Sequence, residues 1–89
     1  MILADVVGHV VATAKHAELR GAKLMLVQPV TPMGDQRGAE RMAVDAVGAG
    51  VGERVLVVIE GRSAAQAMQK TTVPVDAAIV GIVDRIDLL

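Results

Sequence analysis

The sequence predicts an all-β domain, a small five-stranded barrel with one short helix, and three observations predict it. The apolar residues fall in short runs dominated by Val, Ala, Leu and Ile, and β-branched side chains pack better on a pleated surface than along a helix. Gly, Pro and Asp cut those runs at short intervals, as turns between successive strands require. The chain contains no Phe, Tyr or Trp, so its core layers must be thin and tightly meshed.

The elements follow in order. Residues 2–14 are apolar at every even position except Gly8, while the odd positions mix Asp5, His9 and Thr13 with Leu3, Val7 and Val11. This period of two predicts a long first strand with one face buried and the other partly so, and Gly8 inside it predicts a bulge or sharp bend. Residues 15–21 break the alternation and end in Gly21, a surface connection. Residues 23–30 resume as a second strand, and Pro29, which cannot donate to a ladder, belongs at its end or on an edge. Residues 31–41 turn polar and Gly-rich, with Pro32, Gly34, Asp35 and Gly38, and read as an exposed, mobile loop.

Residues 42–47 and 54–60 read as a pair of strands joined by a glycine loop, Gly48-Ala49-Gly50-Val51-Gly52-Glu53. Residues 61–70 hold the only plausible helix, with Ser63 as N-cap ahead of an alanine-rich stretch. Pro74-Val75-Asp76 introduces the last strong strand, residues 77–83, which is apolar on both sides and so either central or covered by another subunit. The tail, residues 84–89, receives no assignment. Five strands at this spacing, the first long and bent, give a small barrel with an OB-like outline.

The 89 residues, with formal net charge -1, fit a single domain over residues 1–89. A domain this small hides only about 60–65% of the surface its unfolded chain exposes. Hydrophobic residues nonetheless make up 53% of the sequence, so part of the apolar surface is expected to face a partner. Cysteine is absent, which removes disulfide staples, thiolate catalysis and the commonest structural zinc sites. Oligomerisation is a usual remedy for a small unstapled domain. The N-terminus lacks a basic stretch followed by an apolar run, and no segment approaches the roughly 20 apolar residues of a spanning helix. The chain therefore reads as cytosolic, without a membrane partner.

Three segments in order resemble the EutN/CcmL family of small pentamer-forming vertex proteins of bacterial microcompartment shells, and together they span nearly the whole chain. The first runs from Val7-Gly8-His9-Val10-Val11-Ala12-Thr13 through Lys15 to Leu19-Arg20-Gly21-Ala22-Lys23-Leu24. The second, similar to the family's most recognisable segment, runs from Ala43-Val44-Asp45 through the glycine loop to Arg54-Val55-Leu56-Val57. The third is Pro74-Val75-Asp76-Ala77-Ala78-Ile79-Val80-Gly81-Ile82-Val83-Asp84, resembling the closing strand. Gly61-Arg62-Ser63-Ala64-Ala65 departs from the pattern, since many members have a glycine followed by two serines there. The resemblance implies a barrel that assembles into a ring-shaped homopentamer, a structural part of the shell with no catalysis and no cofactor. It implies as partners other copies of the chain and the hexameric and trimeric shell proteins.

Candidate residues follow from both readings. In the family the glycine loop resembles one near the fivefold axis, so Gly48, Ala49, Gly50, Val51, Gly52 and Glu53 are candidate axis-proximal contacts. Consecutive N–H groups can also form an anion nest, which leaves an oligomeric anion or nucleotide binding module as the alternative function. Against it, the loop carries neither a Walker lysine pattern nor a full G-x-G-x-x-G and leads into a strand. Lys15 and Lys23 match the family pattern and are candidates for intersubunit or ring-to-tile contacts. Asp45 and Asp76 stand among apolar neighbours and read as structural carboxylates, accepting N–H bonds at a turn or pairing with a cation across an interface. No catalytic set accompanies either. His9 and His16 lack zinc-ligand spacing and read as surface or interface side chains. Single-stranded nucleic acid, a common ligand of OB-like barrels, needs a basic groove and stacking aromatics, and the chain has neither.

Overall fold

The computed structural model describes residues 1–11, 13, 21–59 and 76–88. They form five strands: β1 (Ile2–Val10), β2 (Leu24–Pro29), β3 (Arg41–Asp45), β4 (Arg54–Ile59) and β5 (Ala77–Ile82). These close into a barrel in the order β1-β2-β3-β5-β4. All neighbours are antiparallel except β3 and β5, which run parallel. The all-β class and the five-stranded barrel thus agree with the sequence. The expected helix at residues 61–70 lies outside the described residues, as do Lys15 and His16.

Two details differ from the sequence reading. β3 and β4 follow one another along the chain but do not pair, because β5 lies between them. Their connection therefore has to cross β5, and the Ala46 N–H donates to the Ile79 carbonyl at 3.3 Å. The 31–41 segment is not an unanchored excursion. Thr31-Pro32-Met33-Gly34 closes a β-turn with the Gly34 N–H on the Thr31 carbonyl (2.8 Å), and proline in its second position and glycine in its fourth suit a type I turn. The Arg37 N–H reaches back to the Pro29 carbonyl (2.9 Å). The buried Gln28 side chain donates to the carbonyls of Pro29 and Gly38.

The bend expected at Gly8 is present. Val6 opposes Val27 and Gly8 opposes Leu26, leaving Val7 as the extra residue of a bulge. A second bulge lies in β5, where Leu56 opposes Gly81 and Val57 opposes Ile79, so that Val80 is extra. Bulges increase local twist and allow so short a sheet to curl shut. Both follow a Val-Gly step, Val7-Gly8 and Val80-Gly81, and both extra valines are exposed.

Inside, alternation works as the pattern requires. Ala4 and Val6 of β1, Met25 and Val27 of β2, Ala43 of β3, Val55 and Val57 of β4, and Ala77 and Ile79 of β5 form one buried cluster, which Ala49 joins from the glycine loop. Met25 and Ile79 are the largest fully buried side chains. A barrel of this girth has room for alanine and valine layers, which accounts for a core without aromatic rings.

Candidate functional site

The glycine loop leaves β3 at Asp45, and its shape follows from two carboxylates of its own chain. Asp45 Oδ1 accepts the N–H groups of Val47 (3.0 Å) and Gly48 (3.1 Å), the Asx turn that a short acidic side chain makes at a strand end. Gly48 follows with φ of 80°, a left-handed conformation that suits glycine. Farther on, the Glu53 N–H donates to the Gly50 carbonyl at 3.2 Å, and Gly52 has φ of 93°. Gly50 to Glu53 is therefore a turn of type II character, whose third position demands positive φ. Glu53 Oε1 accepts the Gly50 N–H at 2.6 Å. Two further bonds pin this turn to β1 beside its bulge: Gly52 N–H to Val6 O and Val6 N–H to Glu53 O, both 2.9 Å.

Lys23, just ahead of β2, ties the two halves of the loop together. Its Nζ donates to the Ala49 carbonyl at 2.7 Å and stands 3.0 Å from Asp45 Oδ2. The Asp45 side chain is fully covered, whereas that of Lys23 is 44% exposed. Among the described residues Oδ2 has no aligned hydrogen-bond donor, and its contact with Lys23 is an ion pair at close range. Burial works against the Asp45 carboxylate, but the Val47 N–H, the Lys23 ammonium and the Ala49 backbone together outweigh it and hold the carboxyl below its ordinary value.

The predicted site residues thus divide. Asp45 is the structural carboxylate expected of it, accepting turn N–H groups and pairing with a lysine, here within one chain. Lys23 likewise directs its charge to its own subunit. Ala49 is turned into the barrel and buried, leaving Gly48, Val51 and Gly52 exposed, with Gly50 and Glu53 half-buried. Asp76 is apart from this cluster, largely exposed and 3.8 Å from Arg41. His9 is exposed on β1, and no group of potential metal ligands occurs among the described residues.

Sequence reasoning missed the pair of Asp5 and Arg54. These residues oppose each other on β1 and β4. Arg54 Nε and Nη2 donate to Oδ1 (2.8 Å) and Oδ2 (3.2 Å) of Asp5. The hydrogen bond to Asp5 raises the Arg54 pKa above its ordinary value. An acidic residue at an odd position of β1 was the only hint. Its partner could be found only once the β1–β4 register was known.

The loop offers little to an anion. The N–H groups of Val47, Gly48, Gly50, Gly52 and Glu53 already donate to acceptors of the same chain, three of them to carboxylates. What the loop presents outward is apolar, Val47 and Val51, both exposed.

Comparison with known proteins agrees with this architecture. The family model described as "Ethanolamine utilisation protein EutN/carboxysome" matches residues 1–84. The bacterial microcompartment shell vertex protein EutN of Escherichia coli (strain K12) is 44% identical over 86 residues, covering 97% of this chain and 90% of that relative. The carboxysome shell vertex protein CcmL of Synechocystis sp. is 41% identical over 88 residues, covering 99% and 87%. Among solved structures, the GrpN pentameric microcompartment shell protein from Rhodospirillum rubrum superposes with a TM-score of 0.84 at 39% identity, covering all of both chains.

Proposed function

The chain belongs to the EutN/CcmL family, and from that premise we propose that it is a structural shell subunit whose homopentamers cap the vertices of a polyhedral bacterial microcompartment in the cytoplasm. Its relatives carry the name shell vertex protein, and a similar solved structure is described as a pentameric shell protein. The observation on this chain that carries the reading is its outward apolar surface. Val7, Met42, Val47, Val51, Val80 and Ile82 are all more than one-third exposed on a barrel whose core is formed by other side chains. A head-to-tail contact whose rotation closes covers such surface once per subunit.

The role is structural and needs no catalytic step or cofactor. The glycine loop, through Val47 and Val51, supplies the part of the ring contact nearest the fivefold axis. The outer rim of the ring docks on hexameric and trimeric shell proteins, so that a fivefold corner closes a sheet of otherwise flat tiles.

Native mass spectrometry of the purified protein tests the assembly, with the mass of five chains expected and a monomer at micromolar concentration counting against it. Electron microscopy with a hexameric shell protein tests the placement. Closed particles whose corners lack this protein would overturn it. The alternative reading, an anion or nucleotide binding module, gains no support from a loop in which the N–H groups of Val47, Gly48, Gly50, Gly52 and Glu53 are already occupied.

A further inference from the structure

Lys23 is a candidate contact residue by sequence, yet its ammonium lies on two atoms of its own loop system, the Ala49 carbonyl and Asp45 Oδ2. We infer that Lys23 and Asp45 form a latch within each subunit that fixes the shape of the 46–53 loop before subunits meet, so that Lys23 supports ring assembly as a positioning residue and not by touching a neighbour. The inference rests on the proposal that this loop belongs to the ring contact.

The geometry gives the latch three fastenings. Asp45 Oδ1 holds the first turn through Val47 and Gly48. Lys23 joins the buried Oδ2 to the Ala49 carbonyl, and Ala49 is itself seated in the barrel core. Glu53 closes the second turn on the Gly50 N–H. Without the ammonium, Oδ2 would be a covered carboxylate oxygen with no counter-charge among the described residues, and the Ala49 carbonyl would lose the Lys23 donor. An unpaired buried charge is far more costly than a lost surface contact, so the loop should rearrange to hydrate Asp45. The bound shape would then form only on association, which weakens binding by the cost of ordering.

A doped ring separates action within a chain from action across a boundary. Isotope-labelled Lys23→Met chains are mixed into a large excess of unlabelled wild type, so that each labelled chain has wild-type neighbours, and amide hydrogen exchange is read in the labelled chain. The latch requires the Val47, Gly48 and Gly50 amides of the variant to exchange about tenfold faster or more, with the strand amides of β1 and β2 unchanged. Exchange equal to that of labelled wild type would overturn it, as would faster exchange seen only in the reciprocal mixture, in which trace labelled wild type sits among unlabelled Lys23→Met chains. Native mass spectrometry of undoped Lys23→Met should show rings only at higher protein concentration than wild type. Rings at the wild-type concentration together with a loosened loop would sustain the latch but remove the loop from the ring contact. Should Lys23→Met fail to fold, Lys23→Gln carries the same test, since it also leaves the covered Asp45 Oδ2 without its counter-charge while keeping a polar side chain at the partly exposed position.

Discussion

At the residue scale, the glycines separate into those the backbone needs and those it does not. Gly52 has φ of 93° with nothing within 4 Å of an added Cβ among the described residues, so Gly52→Ala meets no clash there and suffers backbone strain. A cost of about 1–2 kcal/mol is expected, measured as a shift in the chemical denaturation midpoint. At Gly8 an added Cβ would sit 3.9 Å from Leu26 Cβ, an ordinary contact without positive φ. Gly8→Ala should therefore stay within about 0.5 kcal/mol of wild type. Asp45 adds a pH dependence whose sign is fixed. Its folded pKa is lowered from 3.8, so its contribution to stability is fully present above that value and is lost as pH falls through the lower folded pKa. The stability difference between wild type and Asp45→Asn should thus be constant near neutrality and shrink at pH values below 3.8. A difference that grew on acidification would contradict the cause given for the shift.

At the element scale, the strands owe their order to pairing that no single strand reveals. Alternation was enough to find β1, β2 and β4 to within a few residues, because each buries alternate side chains against one core, whereas β5, with Ala77, Ala78 and Ile79 buried in succession, was found as a continuous apolar run. It could not reveal that β5 separates β3 from β4, since β5 pairs parallel to one and antiparallel to the other. The bulge at Val7 was legible through Gly8. The one at Val80 carried the same Val-Gly signal but was hidden in a run apolar on both sides. The site was half legible. The glycines and Asp45 announced a turn, whereas the bond from Lys23 to Ala49 joins residues 26 apart and depends on the β2–β3 register. The closed barrel also constrains volume from both directions. Ile79, fully buried at the centre of β5, should cost about 2–5 kcal/mol as Ile79→Ala. Ala43→Leu, which adds bulk where β3 faces the core, should cost about 1–3 kcal/mol by overpacking. Calorimetry of both variants checks the pair, and a neutral Ala43→Leu would mean that the barrel has slack.

At the scale of the whole molecule, a barrel filled by alanines and valines with one methionine, Met25, and one isoleucine, Ile79, has little to stabilise it alone, while its outer surface carries Val7, Val51 and Val80 in water. Assembly joins these two facts. If neighbours cover that surface, the folded state is stabilised by association, and the apparent stability must rise with protein concentration. The melting temperature should therefore increase by several degrees over a hundredfold range of concentration. Val51→Asp places a charge on the exposed tip of the glycine loop, where it meets no core residue and leaves the turn bonds of Gly50 and Glu53 intact. In a lone subunit such a change is nearly neutral, but in a ring with this loop near the fivefold axis, as proposed, it would be repeated in every subunit and like charges would repel. The variant should keep its β-sheet circular dichroism at low temperature, lose the pentamer in native mass spectrometry, and melt at a temperature that no longer depends on concentration. A wild-type melting temperature indifferent to dilution through the micromolar range would mean that the exposed valines are tolerated by an isolated barrel, and the link between composition and ring formation would fail.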